Sequence, residues 1–280
     1  MTMGIKVIVG AGALVWMSAV GPVLAADIPA APIVKAPVAV APSQSWYGFY
    51  IGINGGYAWG RNGVDALPDA FYTPLFNLAG VPRTLANNPS GFVGGVTYGS
   101  NYQFDRVVIG FDSDWTFSDI KSTQSFAGIV AGVPFTANAS QKLSWFNTTR
   151  LRAGILLSDN WLLYATGGLA GGRAETSASA AVTLPGACLV PGNCPSGTIS
   201  KTRWGWALGG GLEYASGPWQ FRAEYLHYDL GTHNFFIADP LLPGAAIAAS
   251  TKFSGDIVRG AITYRFNWTL LGLLFGSDRL

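Results

Sequence analysis

From Ser254 to Phe266 the chain changes side-chain character at nearly every residue. Asp256, Val258, Gly260, Ile262, Tyr264 and Phe266 share one side, and Gly255, Ile257, Arg259, Ala261, Thr263 and Arg265 the other. An extended strand points successive side chains to opposite faces. One face is therefore mostly apolar and ends in an aromatic pair, while the other carries two guanidinium groups. Similar stretches recur along the chain, and beyond the N-terminal leader no apolar run is long enough for a membrane helix. One such strand is a weak signal. Its repetition is the mark of an all-β transmembrane barrel, whose strands face lipid and lumen by turns.

Eight alternating stretches can be marked: Trp46–Trp59, Gly91–Phe104, Arg106–Ser118, Lys142–Leu157, Trp161–Arg173, Arg203–Tyr214, Trp219–Leu230 and Ser254–Phe266. In the fifth the facing is open, because Trp161/Leu163 and Leu162/Tyr164 compete for the same side. Tight turns join some neighbours: Phe104 to Arg106, Ser158-Asp159-Asn160, and Ala215-Ser216-Gly217-Pro218, all with suitable turn residues. Between them lie long polar or Gly/Pro-rich insertions at 61–90, 119–141, 174–202 and 231–253, read as loops. Long and short connections alternate throughout. Bacterial outer-membrane barrels have short periplasmic turns and long external loops, which predicts an eight-stranded antiparallel up-and-down barrel with both ends periplasmic.

Composition agrees. Only 11% of the 280 residues are charged, where a soluble domain has about a quarter. The net charge of +2 comes without any basic run, which argues against nucleic acid as a partner. Lys6, the apolar stretch Val7–Val20 and Val23-Leu24-Ala25 read as a secretory signal peptide over 1–25, cleaved after Ala25. Residues 26–45, with Pro29, Pro32, Pro37 and Pro42, read as an extended periplasmic arm. The barrel spans 46–266, and 267–280 is a C-terminal tail whose apolar part is too short to cross a bilayer as a helix. Cys188 and Cys194 share a Pro/Gly/Asn stretch, and in an oxidising compartment a disulfide is expected. Closing so short a loop stabilises by roughly 2 kcal/mol in the chain-entropy model.

Alternation does not say which face is inside. A soluble lipocalin-like barrel would bury the aromatic face around a ligand, and a membrane barrel would show it to lipid. The opposite face collects Asp112, Asp114, Arg150, Arg152, Arg203, Glu213, Arg222, Glu224, Arg259 and Arg265. In a narrow lumen these ions can pair across the barrel, whereas isolated they would be very costly. Aromatics also gather near strand ends, as Trp46/Tyr47, Trp59, Trp115/Phe117, Trp161, Trp204/Trp206, Trp219 and Tyr264/Phe266, where interfacial girdles belong. The membrane reading follows.

These same residues carry a resemblance. "WYGFYIGINGGYAWG" after an "AADIP" junction is similar to the small outer-membrane β-barrel proteins of alphaproteobacteria, as are "GFVGGVTYGSNYQF", "WLLYATGGLAGG", "RAEYLHYDLG" and "AITYRF". The resemblance covers about residues 16–266 and implies an OmpA-like transmembrane barrel in the Gram-negative outer membrane. Members of that group are surface proteins, some antigens or adhesins and some haemin binders, and no catalytic motif comes with it. Export through the Sec pathway, help from the barrel-assembly machinery, contact with outer-membrane lipids and lipopolysaccharide, and a monomeric state are expected. A host-surface ligand or haemin is an alternative partner. The chain departs from the group in continuing past Phe266 with Asn267-Trp268-Thr269-Leu270.

Candidate chemistry is sparse. The chain has two histidines, His227 and His233, and neither has a nucleophile or metal partner at a recognised spacing, so no catalytic, metal or resident cofactor site is expected. His227 belongs by parity to the girdle. Haemin would need a His or Tyr ligand beside an apolar shelf. His233 with Phe235/Phe236, or Tyr72 with Phe71 and Phe76, are the candidates. Eight strands leave a lumen that side chains just fill, so a small low-conductance pore is the remaining alternative.

Overall fold

The computed structural model describes residues 44–130, 132–182, 195–238 and 246–266. The expected signal peptide, nearly all of the expected arm, both cysteines with their expected disulfide, and residues 267–280 lie outside the described residues. Within them the chain is almost wholly strand: β1 (Gly48–Trp59), β2 (Asn62–Pro68), helix α1 (Tyr72–Ala79), β3 (Thr84–Asn87), β4 (Ser90–Phe104), β5 (Val107–Val130), β6 (Val133–Ser158), β7 (Trp161–Val182), β8 (Ser196–Ser216), β9 (Trp219–Ala238) and β10 (Ala246–Phe266).

Each strand pairs antiparallel with the next around a ring β1-β4-β5-β6-β7-β8-β9-β10, and β10 closes on β1 from Phe49↔Phe266 to Trp59↔Asp256. Eight strands thus make the closed ring, as the alternation predicts. The tight turns gather at one end with Trp46 and Phe266. There Arg265 N–H donates to the Pro218 carbonyl, Ala215 N–H to Asn160, Leu156 N–H to Arg106, and the Trp46 indole to Asp159. Asp105 takes the left-handed conformation, φ 54°, that the turn between β4 and β5 requires.

The insertions are not loops, and this corrects the sequence reading. β6 has 26 residues, well over twice the roughly 9–11 that cross a bilayer. β5 and β6 stay paired through the whole of 119–141, up to Val130↔Val133. β7 reaches Val182, β8 starts at Ser196, β9 ends at Ala238 and β10 starts at Ala246. The 61–90 insertion folds into β2, α1 and β3, with β2 adding to β10 from Thr251↔Val64 to Ile247↔Pro68. Where β1 and β4 end, β2 and β3 take their place beside β10. The molecule therefore has two storeys: a lower one at the turn end and an upper one at the far end.

The two storeys wear opposite faces outward. In the lower one, Ile53, Leu151, Leu169 and Leu208 point out while Asp112, Arg150 and Glu224 are buried in the lumen. In the upper part of β6, Thr136 and Lys142 face out, whereas Phe135, Ala139, Gln141 and Leu143 face in. Bulges interrupt pairing at the boundary, at Phe117/Ile120, Leu143/Phe146 and Lys252/Ser254. Such an extra residue re-aims the side chains after it. On β6 it lets both Leu143 and Phe146 point inward. The fifth stretch is settled too: Trp161 and Leu163 face out, and Leu162 and Tyr164 face in.

A candidate functional site in the lumen

The lumen is filled in layers. At the turn end Trp46, Val108, Leu156, Leu162, Tyr164 and Ala215 form an apolar floor. Above the ionic layer, Ile120, Leu143, Phe146, Leu226, Leu230, Phe253 and Ile257 form a second apolar layer. Higher still, Val64, Tyr72, Ala139, Phe235, Ile237 and Ile247 pack together, with Phe76 of α1 against them.

Between the lower two layers sit eight buried ions, arranged as two closed rings of alternating charge. In one, Arg150 reaches Asp114 at 2.6 Å and Glu224 at 3.0 Å, and Arg259 bonds the same two carboxylates, with 2.7 Å to Asp114. In the other, Arg152 lies 2.6 Å from Glu213 and 3.7 Å from Asp112, and Arg222 lies 3.1 Å from Asp112 and 3.3 Å from Glu213. Each ring holds two cations and two anions and is neutral. β5 and β6 contribute to both through alternate inward residues: Asp112 and Asp114, Arg150 and Arg152. β9 does the same with Arg222 and Glu224. Glu213 from β8 completes one ring and Arg259 from β10 the other.

Two tyrosines that parity reasoning passed over brace the rings, and one of them joins the two. Tyr50 donates to Asp112, and Arg152 donates to the Tyr50 oxygen. Tyr164 donates to Glu224 at 2.9 Å, while its ring lies 4.1 Å from the Arg152 guanidinium carbon. It thus touches both rings, through its hydroxyl and its π face. Each tyrosine lies where a neighbouring strand is bare: a Cβ at Gly99 would strike the Tyr50 hydroxyl, and one at Gly211 would come within 2.7 Å of the Tyr164 hydroxyl. An inward tyrosine facing an inward glycine was the available signal.

Eight of the ten ions expected in the lumen are there; Arg203 and Arg265 are not in the network. Arg265 sits at the turn-end rim and donates to the carbonyls of Tyr47 and Gly217. Arg203 is at the boundary of the storeys, half-buried, and enters no ion pair among the described residues. Both have inward parity, but parity fixes the side of a strand and not the height along it.

The haemin candidates are also placed. Tyr72, the first residue of α1, is buried among Val64, Phe235 and Ile247 rather than on an outer shelf. His233 is half-buried in the upper storey with Nε2 3.2 Å from the Leu230 carbonyl oxygen. Burial, and then Arg203 and Lys201 nearby, lower its pKa, against the opposing pull of that carbonyl. His227 faces outward as expected, its Nδ1 2.8 Å from Asp256, which also accepts from Tyr225 at 2.6 Å. Its ring lies 5.5 Å from that of Trp206. Among the described residues no cluster of His, Cys, Asp and Glu is built to hold a metal.

Outward aromatics form two bands on the lower storey. Trp161/Tyr214, Trp219/Tyr264 and Tyr47/Tyr102 pair near the turns, and Trp115/Trp145 stack near the boundary at 5.4 Å. An apolar belt between aromatic girdles around a closed polar lumen is the arrangement of an outer-membrane barrel. The family model for the outer membrane protein beta-barrel domain matches residues 28–266. This chain belongs to that family. A 31 kDa outer-membrane immunogenic protein of Brucella melitensis is 34% identical over 255 residues, covering 87% of this chain and 93% of the relative. A 22 kDa outer membrane protein of Rhizobium leguminosarum is 27% identical over 199 residues, covering 70% of each. The crystal structure of the outer membrane protein OprG from Pseudomonas aeruginosa is 12% identical at TM-score 0.46, covering 80% of this chain and 99% of that one. As a member of the outer-membrane barrel family the protein resides in the outer membrane among its lipids.

Proposed function

We propose that the protein is a closed, non-enzymatic outer-membrane barrel that strengthens the envelope and carries its upper storey into the external medium for surface interaction. The observation that carries this reading is the pair of neutral ionic rings, with apolar layers on either side. A conducting pore needs a continuous wet path, and here each layer would have to part. The tight turns then face the periplasm and α1 faces outward, following the usual asymmetry of such barrels. Immunogenicity is stated in the name of the Brucella relative, and an upper storey raised above the bilayer gives this protein a surface that could be met in the same way. Lipopolysaccharide and the barrel-assembly machinery are the partners this placement implies.

Planar-bilayer recording tests the reading. The purified barrel is expected to give no discrete conductance steps. Regular steps from the wild-type protein would overturn it in favour of the pore. Protease added to intact cells should cut only in the upper storey, and a cut at Ser158–Asn160 on sealed cells would reverse the orientation.

A further inference from the structure

Between β8 and β9 the wall of the barrel parts over a long stretch. β8 and β9 are paired from Ser216↔Trp219 up to Trp206↔Asp229, and the next pair is Ser196↔Ala238. Through the residues between, each strand keeps its other neighbour: β8 stays on β7, and β9 on β10. At the start of the gap β9 turns at Gly231, φ 80°, whose N–H is held 2.8 Å from the Asp229 carboxylate. A side chain there would strain the left-handed backbone, so glycine suits the kink.

Three basic side chains line this gap from the inside. Lys201 pairs with Ala174 and Arg203 with Gly172, and both partners face the lumen. Yet Lys201 is exposed and Arg203 half-buried, while Ala174, Ala207 and Leu230 around them are buried. The lumen is therefore open sideways at this height. His233 is paired with the buried Thr251 and looks into the same space. Arg203 and Lys201 are near enough to act on its charge. Of the acids on the neighbouring strands, Asp229 holds Lys252 at 2.9 Å, and Glu175, in register with Ser200, lies on the outward side of β7.

The contrast with the ionic rings is the argument. Every arginine of the rings touches two carboxylates, whereas Arg203 is partly desolvated and pairs with no acid among the described residues. Converging cations that lose water and gain no counter-charge destabilise the fold unless an anion joins them. The guanidinium fork and the ammonium supply the donors that an oxyanion needs. Trp204 and Trp206, outward on the same strand, set the height at the membrane interface, where lipid phosphates lie.

We propose that Lys201, Arg203 and His233 form an anion-binding recess at the β8–β9 gap, and that its ligand is a phosphate group. The same chemistry could come from a lipid headgroup or from phosphate free in the medium. The experiment uses the full-length folded protein in an uncharged detergent, titrated with inorganic phosphate and followed by the His233 imidazole NMR signals. A parallel series uses nanodiscs with and without an anionic phospholipid. A saturable shift in detergent assigns free phosphate, and a shift only in the anionic nanodiscs assigns a headgroup. The K201Q/R203Q variant should weaken either response by ~10-fold or more, the worth of one or two charge-assisted bonds. R173Q, which removes an outward cation from β7, should leave it unchanged. A shift in gel mobility on boiling equal to that of the wild type shows that each variant is folded. No saturable shift in any medium, or equal binding by wild type and K201Q/R203Q, would overturn the proposal.

Discussion

The two storeys solve opposite problems with the same strands. The lower one must show hydrocarbon to lipid, so its polar groups have no exit except one another. Its ions are fully paired inside. The upper one stands in water, so its outward residues are polar and its inner ones apolar, with Phe135, Ala139, Phe235 and Ile247 buried. There Lys201 and Arg203 can remain unpaired. A barrel that passes from oil to water must turn its preferences inside out, and the bulges and the β8–β9 gap sit at the level where this happens.

The sharpest way to break the comparison is to remove one ring member. Glu224→Leu leaves Arg150 and Arg259 sharing Asp114 alone, with one positive charge uncompensated. The loss should be about 3–5 kcal/mol, read from the denaturant midpoint of the barrel in detergent. A loss below about 1 kcal/mol would mean that water reaches the ring and the plug is not sealed.

A smaller effect is expected from the upper storey. Phe235→Ala empties space beside Tyr72 and Ile247, a class of change that costs about 3–5 kcal/mol in a sealed core. Because β2, β3 and α1 belong only to the upper storey, the damage should stay there. Protease should cut faster within 61–90 while the denaturant midpoint of the lower ring hardly moves. A matching fall of that midpoint would show one cooperative unit instead of two.

Arg203→Gln should change stability least. With no partner to abandon, its removal should lie within ~0.5 kcal/mol of neutral or be slightly favourable in phosphate-free buffer. A loss like that of Glu224→Leu would reveal an acid partner and place Arg203 among the paired ions.

Parity gives the inward side of the strand for all ten ions, because an alternating strand fixes facing residue by residue. It does not separate Arg203 and Arg265 from the eight that meet in the rings, because height is not written in alternation. The upper storey was illegible for a different reason. Its inward residues are mostly small, as Ala137, Ala139, Ala174 and Ala178, and its outward ones are Thr and Ser, so the contrast that marks a lipid-facing strand is lost. Polar, alanine-rich sequence looks like loop when half the pattern is silent. The closing of two charge rings was also out of reach, since it depends on which strands face each other across the lumen.

The seam between β1 and β10 joins the first and last strands of the ring. No hairpin along the way can supply it, because every other pairing in the lower ring joins a strand to the ring strand that next follows it in the chain. Arg259, on β10, can take up its bonds to Asp114 and Glu224 only when that last strand arrives. Until then one ring lacks a cation and the lumen holds surplus negative charge. Completion of the circle and neutralisation of its centre are thus one event, timed by the arrival of the C-terminal strand. Such long-range closure is slow in folding, which gives any catalyst of insertion a defined final step to accelerate.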